Sequence, residues 1–237
     1  MISRETFRTF HRWTPALLVV MVLMVLSILP AWGANKAKDE ETISNGTSVL
    51  QAMLSSKDVP ADTVAKAYCL VVLPNVKKAG FIVGGSGGRG PMSCRTGDDF
   101  SGKWSPPAMY TVGGMSVGLQ AGGSSSDFVL LLMNKKAVDA LQTGKTKLGG
   151  DLSVAAGPGA KAGTVSGDVL SYARTSGLFA GASLGGATLE PDNDANQRLY
   201  DRAVSPREII SGNAVQVTTA GQSFVSLLDS TLATHSR

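Results

Sequence analysis

Hydrophobic and polar residues follow patterns that divide the chain into a helical beginning, a β-rich centre and a helical end. Ile43, Leu50 and Met53 recur near a helical period, and a second short helix is predicted to begin around Pro60. From Tyr68 onward, apolar runs of strand length follow one another between frequent glycines. The pattern therefore predicts two leading helices and then a sheet.

Individual runs in the centre predict separate strands. Residues 69–73 and 127–133 are almost wholly apolar, and each has the length of a strand. Residues 148–156 alternate apolar residues with polar or small ones, which is typical of a half-buried strand. Residues 169–174 and 178–184 flank a turn-like segment and predict a hairpin. We expect these strands to belong to one sheet.

Helix signals return after the strands. Residues 134–141 predict a short helix that is closed by Gly144. Ser205 and Glu208 form a capping box with proline at the first helical position. A last amphipathic helix is predicted to carry Val217 and the apolar residues between 224 and 232.

Glycines define the character of the predicted sheet. Gly85, Gly87 and Gly90 match the spacing G-x-G-x-x-G, but no helix pattern follows them, so a dinucleotide-binding turn is not favoured. Glycine within a strand marks a bulge, a bend or a close approach by a backbone or ligand, so contact between phosphate and these amides stays open. We predict an α+β fold, in which a strongly curled, glycine-rich antiparallel sheet, barrel-like or sandwich-like, is flanked by N-terminal and C-terminal helices.

The N-terminus has the pattern of a secretory signal. Basic residues precede an unbroken apolar run over residues 16–29, and small residues suited to cleavage follow it. We predict a signal peptide over residues 1–33, a polar lead-in over 34–42 and a single domain over 43–237. The predicted location is periplasmic or secreted. The alternative is an uncleaved anchor in the inner membrane.

Charge and histidine content argue against two classes of function. The formal charge is +4, and removal of residues 1–33 lowers it to +2, which is too nearly neutral for a typical nucleic-acid binder. His235 is the single histidine after residue 33, so a Ser-His-Asp set cannot be built. We predict that the protein is not an enzyme, uses no cofactor and does not bind nucleic acid.

Two cysteines fall in segments that are predicted to be neighbouring strands. Cys69 and Cys94 can pair in an oxidising compartment, or they can be two small buried hydrophobic residues. Their Cα separation decides between these readings, because a disulfide needs the two Cα atoms within about 7 Å. A thiol nucleophile is disfavoured, because no positioned base accompanies either residue.

An acidic segment near the end of the sheet resembles a calcium loop only in part. Asp192, Asp194 and Asn196 alternate as oxygen ligands would, but Gln197 and Ala203 stand where an EF-hand needs glycine and glutamate. We therefore predict a turn that caps the following helix, and no metal site.

Basic residues bracket the glycine-rich strand. Lys77, Lys78 and Arg89 lie on either side of it, and a hairpin there would bring them together. Each basic side chain near a charged membrane surface contributes about 1 kcal/mol of attraction. We therefore predict that these three residues contact anionic headgroups.

A series of ordered segments carries a family resemblance that is more specific than any short motif above. Together they extend over roughly residues 43–212. The segments are Ala67–Gly85, Gly88–Gly90, Trp104–Ala108, Gly118–Gly123, Asp127–Asn134, Leu148–Pro158, Ser176–Leu189 and Asn196–Tyr200.

These segments closely resemble the SYLF lipid-binding domain. The resemblance implies a non-enzymatic domain that binds phosphoinositides and other anionic lipids and that, in fungal relatives, also binds and bundles actin filaments. Eukaryotic members often carry an SH3 or FYVE domain, and this chain is similar to the stand-alone bacterial secreted branch. We expect its partner to be an anionic lipid or membrane surface. The alternative is a structural or interaction module that binds another envelope protein.

Overall fold

A computed structural model describes most of the chain beyond its first residues. The chain divides into two compact units, Met1–Lys38 and Asp39–Arg237. Among the described residues, no helix has both the length and the apolar character needed to cross a membrane. The basic residues of the predicted signal lie outside the described residues. The described residues are 14–80, 83–117, 122–157, 167–175, 178–180, 184 and 186–235.

Helices stand at both ends of the described chain, with strands between them. The helices are α1 (Thr14–Ser55), α2 (Ala61–Lys66), α3 (Lys135–Gln142), α4 (Asn193–Tyr200), α5 (Pro206–Ile210) and α6 (Thr219–His235). The strands are β1 (Cys69–Gly80), β2 (Val83–Cys94), β3 (Ala108–Val117), β4 (Gly122–Leu132), β5 (Thr146–Lys147), β6 (Val154–Ala156), β7 (Val169–Thr175), β8 (Leu178–Ala180) and β9 (Thr188–Pro191).

The strands form one curled sheet. Its order is β5-β9-β3-β2-β1-β4-β7-β6, and β8 pairs with β7. The predicted α+β class with a curled sheet between terminal helices is confirmed. The sheet is mixed, because β6 runs parallel to β7 while the other pairs are antiparallel. The predicted hairpin of β7 and β8 is present, and its turn lies outside the described residues.

Both faces of the central strands are buried, which explains their continuous apolar runs. On β1, Val71 and Leu73 belong to one core and Leu70 and Val72 to the other. We call the side of the sheet with Val71 and Leu73 the α3 face, and the side with Leu70 and Val72 the α1 face. On the α3 face, α3 and α5 contribute Ala137, Val138, Leu141, Ile209 and Ile210. On the α1 face, α1, α2, α4 and α6 contribute Ile43, Leu50, Met53, Val64, Ala195, Leu199, Phe224 and Leu228.

A bulge in β1 explains part of the glycine pattern. The pairing of β1 with β2 shifts by one residue between Val71 and Lys77. A side chain at Gly90 would overlap the backbone carbonyl of Val72 where the two strands come close. Glycine is therefore required at this position by close backbone approach. The residues after Gly90 continue as strand β2, so no helix follows the glycines.

The predicted strand over residues 148–156 is wrong for residues 148–153, and its end is confirmed, because Val154–Ala156 form strand β6. The chain turns at Gly149, whose φ is 79°, and its N–H donates to the Leu152 carbonyl at 2.8 Å. The Asp151 carboxylate accepts from the Lys147 N–H at 2.7 Å and closes the turn. The alternation of apolar residues could not reveal this turn, because Leu148 before the turn and Leu152 after it are both buried, as they would be in a strand.

Two local predictions about helix starts are confirmed. Ser205 and Glu208 form the capping box at the start of α5. Asp192 caps α4 by accepting a hydrogen bond from the Ala195 N–H at 3.0 Å. The side chain of Asn196 is buried and bonds both backbone groups of Met109, at 2.7 and 3.2 Å. Asn196 therefore joins α4 to β3 instead of belonging to a solvated loop.

Asp168 fixes the segment that precedes β7. Its carboxylate accepts from the Asn134 amide at 2.9 Å, from the Ser153 N–H and hydroxyl at 2.9 and 2.7 Å, and from Lys136 at 3.0 Å. The Asn134 hydrogen bond first, and then those of Ser153 and Lys136, hold the pKa of Asp168 well below its ordinary value. The ionised carboxylate therefore stabilises the junction between α3, β6 and β7.

Candidate functional site

A disulfide fixes one end of the β1–β2 pair. Cys69 and Cys94 are direct cross-strand partners, and their Cα atoms are 3.9 Å apart. Of the two readings that the sequence left open, the structure has the bonded one, with both residues fully buried. The disulfide holds β1 and β2 in register at the start of β1, before the bulge.

The structure separates the two predicted lysines. Lys77 lies opposite Gly87 on β2 and Ser125 on β4. Lys78 is the next residue along the strand, so its side chain points to the other face. Its Nζ lies 5.6 Å from the ring centre of Phe128, which belongs to the core of the α3 face. The two lysines therefore cannot contact one ligand within the same face of the sheet.

Lys77 and Arg89 do come together. Both line a groove of about 540 Å³ between α1 and the strands β1, β2 and β4, on the α1 face. We call it the α1–β1 groove. Its lining includes Thr42, Asn45, Ser48 and Val49 from the helix and Asn75, Lys77, Gly87, Gly88, Arg89 and Asp127 from the strands.

The described lining of the groove includes the cations Lys77 and Arg89 and the carboxylate of Asp127. The two cations differ in whether a neighbouring carboxylate neutralises their charge. Lys77 is exposed and forms no ion pair with any residue that the structure describes. The Asp127 carboxylate accepts from the Asn75 N–H at 2.8 Å. Asn75 sits in the β1 bulge with a φ of 54°. The free positive charge of the groove is thus carried mainly by Lys77.

Arg89 is held by a buried carboxylate. Asp39 on α1 is fully buried and forms an ion pair with Arg89. It also accepts from Arg198 of α4, at 2.7 Å from Nε and 3.3 Å from Nη2. Asp192 lies 3.6 Å from Arg89. The hydrogen bond with Asp39 is the main cause that raises the pKa of Arg198 above its ordinary value.

Sequence reasoning missed Asp39 and Arg198. A signal for Asp39 exists, because it lies four residues before Ile43 and thus on the buried side of a predicted amphipathic helix. A carboxylate in that position needs a buried partner. No spacing in the sequence identifies that partner, since Arg89 and Arg198 lie 50 and 159 residues away.

Arg174 is a further basic residue that the sequence did not single out. It lies directly across from Asp127 in the pairing of β4 with β7, so the two share the α1 face. Its Nε is buried and has no hydrogen-bond partner among the described residues. Arg174 extends the basic character of this face from β1 towards β7. Only the register between β4 and β7 could have placed Arg174 beside Asp127, and the sequence does not determine that register.

Residues 113–231, from β3 into α6, match the model of a family described as Ysc84, a Las17-binding protein actin regulator. The matched segment contains most of the sheet and the C-terminal helices, and it leaves out α1, β1 and β2.

Relatives from yeasts and animals align with a longer part of the chain. It is 38% identical over 180 residues to the SH3 domain-containing protein PJ696.02 of Schizosaccharomyces pombe, covering 72% of this chain and 41% of that protein. It is 36% identical over 181 residues to the SH3 domain-containing YSC84-like protein 1 of Homo sapiens, covering 73% and 52%. It is 32% identical over 182 residues to Protein YSC84 of Saccharomyces cerevisiae, covering 73% and 38%. The chain spans about half the length, or less, of these relatives.

Proposed function

We propose, on the premise that this chain belongs to the Ysc84/SYLF family, that it is a non-enzymatic domain that binds anionic lipid headgroups. The names of its relatives describe SH3 domain-containing proteins, and the family description names an actin regulator, so neither describes an enzyme. The observation that carries the proposal is Lys77, whose ammonium is exposed in the α1–β1 groove and forms no ion pair with any residue that the structure describes. Its action is binding without turnover.

The composition of the groove suits a phosphate-bearing group. Lys77 supplies a compact positive charge, and Gly87 beside it leaves the strand surface open, because a methyl group there would meet nothing nearer than 4.0 Å. Asn45 lines the opposite wall on α1, and its side-chain amide has N–H donors suited to phosphate oxygens. Basic residues near an anionic membrane attract it by about 1 kcal/mol each.

Adjacent lysines provide a matched test. Lys77→Glu reverses a charge in the groove, and Lys78→Glu reverses one on the other face of the same strand. We expect Lys77→Glu to weaken binding to phosphatidylcholine vesicles that contain phosphatidylglycerol by about 30-fold, since reversal changes the attraction by about 2 kcal/mol. Lys78→Glu should change it little. Arg89→Glu is a poorer probe, because it also breaks the Asp39 ion pair.

Vesicle sedimentation at low salt measures this difference, with pure phosphatidylcholine as the reference. Binding should weaken as salt screens the charges. Equal pelleting with both vesicle types would contradict the proposed function. Equal loss in the Lys77 and Lys78 variants would place the contact at the strand ends and not in the groove.

We further propose that the protein is exported by its N-terminal signal and acts in the periplasm or outside the cell. The Cys69–Cys94 disulfide supports this location, because such bonds persist in oxidising compartments. N-terminal sequencing of protein from the periplasmic fraction tests it, and cleavage near residue 33 is the expected result. A full-length chain in the inner-membrane fraction would favour the signal anchor instead.

A protein partner is the alternative function. The family description names a Las17-binding protein, which favours protein recognition by this fold. In that case the domain would be an interaction module of the cell envelope. Capture from delipidated envelope extracts distinguishes the two, because a specific partner retained without lipid, together with no preference for anionic vesicles, would favour the alternative.

A further inference from the structure

We infer that ligand binding in the α1–β1 groove and the docking of α1 on the sheet are coupled through Arg89, with Asp39 as the positioning residue. This inference rests on the proposed function, and it adds a regulated element to the site. The element is the segment of α1 from Asp39 to Ser55, which belongs to the larger compact unit.

Arg89 connects two parts of the structure. Its Nη2 binds the buried Asp39 carboxylate, while its side chain also lines the groove and is 34% exposed. Its Nε is buried and has no hydrogen-bond partner among the described residues. One guanidinium has five N–H donors, so it can hold Asp39 and still offer donors to a second anion. The same side chain can therefore serve both α1 and a ligand.

The helix that carries Asp39 also forms a wall of the groove. Thr42, Asn45 and Ser48 recur every three residues on α1 and line the groove on one side. If the segment lifts from the sheet, the groove loses this wall, and Arg89 loses the carboxylate that orients it. The docked helix is thus the state that is competent to bind.

A ligand that binds only the docked state must stabilise that state. Hydrogen exchange reports this directly, because amides in the α1 segment exchange when it opens. At a ligand concentration ten times the Kd, exchange within Ile43–Ser55 should slow about tenfold. Helix α3 packs on the other face of the sheet and should be unaffected.

The experiment compares exchange of the full chain alone and with phosphatidylcholine vesicles, phosphatidylcholine–phosphatidylglycerol vesicles and inorganic phosphate. Slower exchange of α1 with the anionic vesicles supports the coupling. Bound vesicles with unchanged or faster exchange overturn it, faster exchange meaning that the ligand displaces Asp39. No sedimentation with anionic vesicles means that the proposed function fails, and if inorganic phosphate does not slow the exchange of α1 either, the coupling fails with it. Slowing by inorganic phosphate alone supports the coupling and assigns the groove to a free phosphate.

Two variants separate positioning from direct contact. Asp39→Asn has the same shape but lacks the charge, and we expect about fivefold weaker vesicle binding or more, together with faster exchange of α1. Glu41→Gln removes an exposed charge two positions along the same helix and should change neither quantity. Vesicle binding by Asp39→Asn equal to that of the unsubstituted protein would contradict the coupling.

Discussion

Asp39 provides the sharpest test of how the fold is held together. The carboxylate is fully buried and joins α1 to β2 through Arg89 and to α4 through Arg198. Asp39→Asn keeps the size of the side chain and one acceptor oxygen. It removes the charge that compensates the two guanidinium groups.

The expected loss of stability follows from the exposure of the partners. Removing one member of a buried ion pair costs about 3–5 kcal/mol, because the other charge stays buried and unpaired. Here Arg89 and Arg198 keep 34% and 17% of their side-chain surface exposed, and Asp192 lies 3.6 Å from Arg89 as a remaining partner. We therefore expect a loss of about 2–3 kcal/mol in the free energy of unfolding.

Thermal unfolding followed by circular dichroism measures this loss. For a domain of this size, 2–3 kcal/mol lowers the Tm by about 5–10 °C. Glu41→Gln on the same helix is the control, and its exposed position predicts a change within about 0.5 kcal/mol. If the Tm of Asp39→Asn falls no further than that of the control, the cluster does not stabilise the fold as argued.

Three further predictions concern stability. Replacing Cys69 and Cys94 with alanine opens a loop with a sequence separation of 25, which the loop-entropy account values at about 3.5 kcal/mol, and an unchanged urea midpoint would contradict this. Gly90→Ala should destabilise by at least about 1–3 kcal/mol through overlap with the β1 backbone. Gly87→Ala, whose added methyl has room, should be neutral or slightly stabilising in the same urea assay. Asp168 has a lowered pKa, so its stabilisation is complete above its unfolded-state pKa of about 4 and is lost as the pH falls through the folded-state pKa. Unfolding measured over pH should therefore show Asp168→Asn less stable at neutral pH, with the difference narrowing below about pH 4, and a constant difference would count against it.

The candidate site illustrates what a list of basic residues can and cannot predict. Lys77 and Arg89 do line one groove, while Lys78 points to the other face. The separation of Lys77 from Lys78 could have been predicted from the sequence, because neighbouring residues of a strand point to opposite faces of the sheet. The role of these residues in lipid contact stays a prediction.

Sequence alone determined the features that depend on neighbouring residues. The capping box of Ser205 and the apolar runs of the central strands have local signals, so they could be predicted without a structure. The series of matching segments, in the same order along the chain, also sufficed to indicate the family. The strand predicted over residues 148–156 is present only at its end, as β6, because a turn at Gly149 interrupts it and lets Leu148 and Leu152 be buried on either side.

Only the tertiary structure decided how distant residues meet. The bulge in β1 sets which side chains enter the groove, and the sheet order places Arg174 beside Asp127. The partners of Asp39 come from β2 and α4. Such pairings arise because strands choose register and neighbours by collective burial of their side chains, and no local spacing along the chain encodes that choice.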